Sequence, residues 1–244
     1  MEMNKVDNLK DFLSVKNITN NKAVLYFYGD IVSSWWGAWD DTDQYPESVK
    51  NFLNGCEDKD LEIHINSGGG SVFAGITIYN MLKNFKGHKT VYVDGLAASI
   101  ASVIALAGDE VVMRTGSSMM IHKPSVYIYN QSLNADELKG MSETLDKLQE
   151  CIMQIYRENL KDKSKLEEIE TMVNAETWMT SEEAMDYFDI KVEDMEAVAC
   201  KSDVIGNFIK KPKYLEDMEN KKANELNKAT AKLNLLKLGG KYES

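Results

Sequence analysis

Serine, histidine and glycine carry the chemistry this sequence could perform, and one stretch holds the first of them. From Val91 to Ser102 the chain reads V-Y-V-D-G-L-A-A-S-I-A-S. A β-branched and aromatic run, Thr90 to Val93, meets Asp94-Gly95, and small apolar residues suited to a helix start follow. Strand, glycine turn, serine, helix is a geometry that exposes a hydroxyl at a helix N-terminus. Unpaired N–H groups and the helix dipole favour negative charge there, and a serine attacking a carbonyl generates such a charge on the carbonyl oxygen. Ser99 is the candidate nucleophile, and Ala97 and Ala98 leave room for a substrate backbone. The same stretch by itself also fits a helix start built only for close packing.

A nucleophilic serine needs a base, and histidine is the side chain matched to neutral pH. The chain has His64, His88 and His122. His64 lies mid-strand, opposite the face of Leu61, Ile63 and Ile65, and His88 sits in the polar turn Lys86-Gly87-His88-Lys89. His122 ends an apolar strand and is followed by Lys123-Pro124, which places its ring at a strand mouth, where ligands bind in open α/β sheets. It is the base by elimination; without Ser99 it reads equally as a satisfied structural histidine.

Gly68-Gly69-Gly70 has three readings. No Gly-Lys-Ser/Thr follows, which argues against a nucleotide phosphate loop. A flexible turn is the plainest. The third is an amide at Gly70, unobstructed by a side chain, donating to an oxyanion together with the N–H of Ile100. A triad also needs a carboxylate to orient the imidazole, and 39 acidic residues leave the choice open. Cys56, Cys151 and Cys200 lie outside zinc-ligand spacing of one another and of any histidine, so neither a metal nor another cofactor is indicated.

These groups need a scaffold, and the apolar periods supply one. Strands are expected at Ala23–Tyr28, Leu61–Ile65, Thr90–Val93, Glu110–Met113 and Ser118–Ile121, with helices from Pro46 and over Val72–Phe85. The alternation argues an α/β fold with parallel pairings. A long helix over Ala135–Leu160 opens with an Asn134/Glu137 capping box and carries a stripe of Leu138, Met141, Leu145, Leu148, Ile152 and Ile155. It either projects to pair with another subunit or lies on its own sheet. Shorter helices follow at Leu166–Val173 and Thr180–Tyr187. Trp35, Trp36 and Trp39, among acidic residues, suit a loop or docking edge. Beyond Pro212, Tyr214–Leu238 has Leu226, Leu233 and Leu236 at helical spacing, as an appended amphipathic helix or tail.

With 244 residues, 43% of them hydrophobic and 27% charged, the chain can bury one sizeable domain. A net charge of -11 argues against a nucleic-acid surface. No apolar run has the length of a membrane span, and M-E-M-N-K-V-D is not a signal-peptide start. Three scattered cysteines point to reduced thiols and a cytoplasmic location.

Five ordered motifs, H-I-N-S-G-G-G-S, A-G-I-T-I-Y, G-L-A-A-S, M-M-I-H-K-P and W-M-T-S-E-E-A, together resemble the ClpP-type serine peptidases over about Ala23 to Val192. The resemblance implies a ClpP/crotonase-like α/β spiral of parallel strands and helices. Ala135–Leu160 would be a protruding handle helix that supports a ring-like homo-oligomer. It implies peptide-bond hydrolysis through an acyl-serine intermediate, with Ser99 as nucleophile, His122 as base and the Gly70 and Ile100 amides as oxyanion hole. The family's third triad member, an aspartate two positions before an aromatic, corresponds to Glu176 before Trp178. Residues 1–22 would be a lead-in, 23–200 the peptidase domain and 201–244 a tail.

The Trp-Trp-Gly segment and A-E-T-W-M-T resemble the phage and prophage branch, whose members are head maturation proteases. That implies scaffold or capsid proteins as substrates, in an assembling phage head within the bacterial cytoplasm. The sequence departs from the family pattern at Gly68, where the family has proline, and at Val126-Tyr127-Ile128-Tyr129, which replaces a glycine-rich strand. The N-terminal segment does not match the axial loop of the housekeeping enzyme, so docking to an ATP-driven unfoldase is not part of this reading. A housekeeping peptidase working with such an unfoldase shares the site residues. A crotonase-type acyl-CoA enzyme shares the fold without using a Ser–His pair, and a non-catalytic ring or assembly factor shares the architecture alone.

Overall fold

A computed structural model describes residues 16–18, 22–38, 42–128, 130–194, 205 and 208–210. By Cα proximity the chain divides into two units, Met1–Val204 and Ile205–Ser244, and every element below belongs to the first. The tail expected over 214–238, Trp39 and Tyr129 lie outside the described residues.

Strands β1 (Lys16–Ile18), β2 (Lys22–Phe27), β3 (Asp60–Ser67), β4 (Lys89–Ala98), β5 (Glu110–Arg114), β6 (Ser118–Ile121), β7 (Thr177–Thr180) and β8 (Ile190–Glu193) form one sheet. Helices are α1 (Pro46–Leu53), α2 (Val72–Asn84), α3 (Ile100–Ala105), α4 (Ala135–Asn159), α5 (Leu166–Asn174) and α6 (Ser181–Tyr187). The sheet runs β1-β2-β3-β4-β5-β8, parallel throughout except for the antiparallel β1 edge. A branch leaves it where the far end of β4 pairs with β6, and β6 pairs antiparallel with β7. Parallel neighbours require crossovers, and α1, α2 and α3 lie in those from β2 to β3, β3 to β4 and β4 to β5.

Period two places Leu61, Ile63 and Ile65 in the core with Ile78, Leu82, Ile100 and Ile104. The alternate residues build a polar layer on the other face. His64 stacks between Tyr26 and Tyr92, with ring centroids 4.9 and 5.2 Å away, and Arg114 lies over Tyr92. The Asp94 carboxylate accepts from His64 Nδ1 at 2.6 Å, Tyr28 Oη at 2.8 Å and Arg114 Nε at 3.4 Å. His64 Nε2 meets Glu62 at 3.0 Å. Both ring nitrogens therefore face carboxylates, which accept only, so the imidazolium satisfies both contacts. Burial opposes that charge, but the two carboxylates outweigh it and raise the His64 pKa. For Asp94 too, burial is outweighed, here by the donors, and its pKa is lowered. A raised histidine pKa stabilises the fold at low pH, and that contribution is lost as pH rises through the folded value. Thermal midpoints should therefore decline as pH rises from the ordinary histidine value of 6.5 to the raised His64 pKa and level off above it, and His64→Gln should flatten that decline.

Two expectations need correction. The strand expected to stop at Asp94-Gly95 continues to Ala98. Asp94 finds its partners on β3, on β5 and in Tyr28 just past the end of β2, so it has no need of a turn, and Leu96–Ala98 gain a new neighbour in β6. The stretch expected as a lead-in contains β1. The stripe on α4 is only partly covered: Ile152, Ile155 and Tyr156 are buried, whereas Leu138 is 48% exposed. Its first turns thus lack a partner within the described residues.

Candidate active site

The nucleophile candidate sits where β4 ends and α3 begins. Ser99 has φ 55° and ψ -128°, a left-handed conformation that few residues other than glycine adopt. Its N–H donates to the Met120 carbonyl at 2.8 Å, so β6 holds the turn. Its carbonyl accepts from Ser102 Oγ at 2.5 Å, and Ser102 in turn bonds Tyr156 of α4 at 2.7 Å. The corner is thereby tied to the sheet on one side and to the long helix on the other.

The register Ala98↔Met120 brings the chain just past β6 beside Ser99. His122 Nε2 lies 2.7 Å from Ser99 Oγ. With the proton on Nδ1, Nε2 accepts the serine hydroxyl, which is the pairing a general base needs. Burial lowers the His122 pKa below its ordinary 6.5, and the charge of Glu176 offsets part of that. The imidazole is thus neutral near pH 7, the form that can take a proton.

Glu176 is buried at 9% exposure, with φ 50°, in the turn between α5 and β7. The antiparallel pair β6–β7, with Ile121 opposite Thr177, carries it toward His122. Its charge reaches the imidazole, as the opposing effect on the His122 pKa shows.

The glycine turn packs directly on Ser99. Gly69 has φ 97°, and a Cβ there would sit 2.8 Å from Ser99 Cβ and 3.2 Å from the Ile100 nitrogen. Gly70 follows with φ 142°. Among the described residues neither the Gly70 N–H nor the Ile100 N–H donates a hydrogen bond, so both remain available to an oxygen that develops charge beside Ser99. Sequence reasoning singled out Ser99, His122, Gly70, Ile100 and Glu176, and the structure gathers them in one region. It missed Gly69, which permits the close approach, and Gly75, whose missing side chain lets α2 pack on Ile100: a Cβ there would fall 2.1 Å from Ile100 Cγ1. It also missed Ser102 and Tyr156. The glycines were visible as letters, but their neighbours are remote in the chain.

An apolar groove of about 610 Å³ adjoins Gly70, lined by Val72, Phe73, Val126, Met141, Leu145 and Leu148 among others. The chain after His122 is irregular and open, with Tyr127 71% exposed. Among the described residues no group of three histidine, cysteine or acidic side chains could hold a metal ion. Among them, too, no helix is long and apolar enough to cross a membrane.

Comparison with known proteins places this geometry in context. A family model described as Clp protease matches residues 51–188, a span that includes all five site candidates. The ATP-dependent Clp protease proteolytic subunit of Staurastrum punctulatum is 33% identical over 140 residues, covering 56% of this chain and 67% of that one. The subunit of the same description from Marchantia polymorpha is 36% identical over 112 residues, covering 44% and 54%. Among solved structures, a ClpP1 variant from Listeria monocytogenes superposes with a TM-score of 0.58 at 22% identity, covering 77% of this chain and 96% of that one. The fold is ClpP-like.

Proposed function

The chain belongs to the Clp protease family, and from that premise we propose that it is a serine endopeptidase acting through an acyl-serine intermediate. The observation that carries this reading is the 2.7 Å contact of His122 Nε2 with Ser99 Oγ beside two undonated amides. Ser99 attacks the scissile carbonyl while His122 takes its proton. The Gly70 and Ile100 N–H groups bind the oxyanion, and Glu176 holds the imidazole and stabilises its charged form. His122 then gives the proton to the leaving amine, and water repeats the sequence to release the acid. The apolar groove beside Gly70 suits an apolar side chain next to the cleaved bond.

His122 must be uncharged to act, so kcat/KM should fall as pH drops through its pKa, on a limb below pH 6.5. Glu176→Gln removes the charge that raises that pKa. Turnover should fall more than tenfold and the limb should move to still lower pH, with folding retained. Turnover within twofold of wild type would pass the role to another acid.

The finer reading is a head maturation protease in a bacterial cytoplasm, assembled as a ring-like homo-oligomer and cutting phage scaffold or capsid proteins. It is supported by the Trp-Trp-Gly segment, which sets Trp35 and Trp36 in an exposed stacked pair, and by A-E-T-W-M-T around Glu176. The description shared by the relatives, an ATP-dependent proteolytic subunit, favours a second reading, a peptidase that works with an unfoldase. Co-expression with phage structural proteins, followed by mass-spectrometric mapping of cut sites, separates the two. Discrete ATP-independent cuts in scaffold or capsid protein support the first. Co-purification with an ATPase and ATP-dependent degradation support the second.

A further inference from the structure

The parts that hold the glycine turn come from a region the peptidase mechanism does not itself use. Ile31 N–H donates to the Gly69 carbonyl at 2.7 Å, and the Ile31 carbonyl accepts from Ser71 N–H at 2.7 Å. One residue thus grips the turn on both sides of Gly70. The contact is so close that a Cβ on Gly70 would fall 2.1 Å from the Ile31 oxygen.

Ile31 is held in turn from its other side. Gln44 N–H donates to the Asp30 carbonyl at 3.0 Å, and Val32 N–H donates to the Gln44 carbonyl at 2.9 Å. At the root of this small ladder Asp43 Oδ1 accepts from Asp30 N–H at 2.8 Å. It fits there because Gly29 has no side chain: a Cβ on Gly29 would lie 2.6 Å from that oxygen. Ser67 closes the arrangement, donating from Oγ to the Gly29 carbonyl at 2.6 Å and accepting from Gly69 N–H at 3.1 Å.

An amide that stabilises an oxyanion acts only if its direction is fixed before the reaction. Three consecutive glycines give that amide more backbone freedom than any other sequence would, so something outside the turn must remove it. We propose that Asp43 is a positioning residue for the oxyanion hole: by pinning Asp30 it keeps Ile31 in register with Gly69 and Ser71, and so aims the Gly70 N–H at the reacting carbonyl. The proposal rests on the peptidase reading. Asp43 touches no reacting atom: its carboxylate holds the Asp30 N–H, and the backbone hydrogen bonds of Ile31 carry the effect to the turn.

The test compares Asp43→Ala, Asp43→Asn and, as a control on the same loop, Trp35→Ala, all in the full chain. The probe is a fluorogenic peptide with an apolar residue before the cleaved bond. Asp43→Ala should lower kcat about tenfold or more with KM within twofold, since misaimed catalytic groups cost rate rather than binding. Asparagine keeps an acceptor oxygen and should restore kcat to within threefold of wild type, and Trp35→Ala should behave as wild type. Amide exchange at Ser71 should quicken in the alanine variant alone. Unchanged kcat in Asp43→Ala overturns the proposal. So does a joint change of kcat and KM with a lowered thermal midpoint that asparagine does not rescue. A wild-type chain without Ser99-dependent turnover overturns the peptidase reading instead, and unaltered Ser71 exchange would then remove the clamp on its own account.

Discussion

Ser99→Ala is expected to abolish labelling by a fluorophosphonate and to cut peptide turnover by at least about a thousandfold, the scale on which loss of a triad nucleophile is felt. A fluorophosphonate bonds to a serine oxygen only when that oxygen is activated, fluoride leaving as the bond forms. Ser99 Oγ is so placed, 2.7 Å from His122. The fold should survive the change. The Ser99 side chain makes no helix-capping hydrogen bond, and the contacts that hold the corner use its backbone N–H and carbonyl. Circular dichroism and the thermal midpoint should therefore match wild type. Labelling that persists in the variant would move the nucleophile elsewhere and end the mechanism.

Gly70→Ala is the second large effect, with kcat expected to fall about a hundredfold to a thousandfold, as when one oxyanion donor is lost. The reason is geometric. The residue has φ 142°, a backbone conformation side chains rarely adopt, and the added Cβ would lie 2.1 Å from the Ile31 oxygen and 2.9 Å from its carbonyl carbon. Those neighbours are backbone and cannot swing aside like a side-chain tip. The turn must move, taking its N–H with it. KM should change little, because the groove proposed for the substrate side chain is built mainly from other residues. A variant with wild-type kcat and an unchanged midpoint would remove Gly70 from the hole.

Ser99 and His122 could be singled out in the sequence as a candidate pair because the elements around them are regular. Val91 and Val93 alternate cleanly with polar neighbours, and Met119 to Ile121 end at His122 followed by Pro124. The corner was misplaced by five residues because Asp-Gly is a strong turn signal. Only the three-dimensional neighbours of Asp94, drawn from two other strands and from Tyr28 just past β2, show why no turn forms there. Strands β7 and β8 have four residues each, too short for a period to show. Glu176 could be found only through resemblance, since neither its burial nor its φ of 50° leaves a mark among 39 acidic residues. The grip of Ile31 on Gly69 and Ser71 is a contact between backbones, so it leaves no side-chain pattern to read.

The conformation of Ser99 has a consequence for how this protein can change over time. A non-glycine residue at φ 55° sits about 1 kcal/mol or more above its relaxed state. Glycine would relieve that strain and strengthen the fold while deleting the oxygen of the proposed nucleophile. Robustness and reactivity therefore pull against each other at this corner, and a lineage freed from selection for cleavage should drift toward glycine here before it loses its architecture.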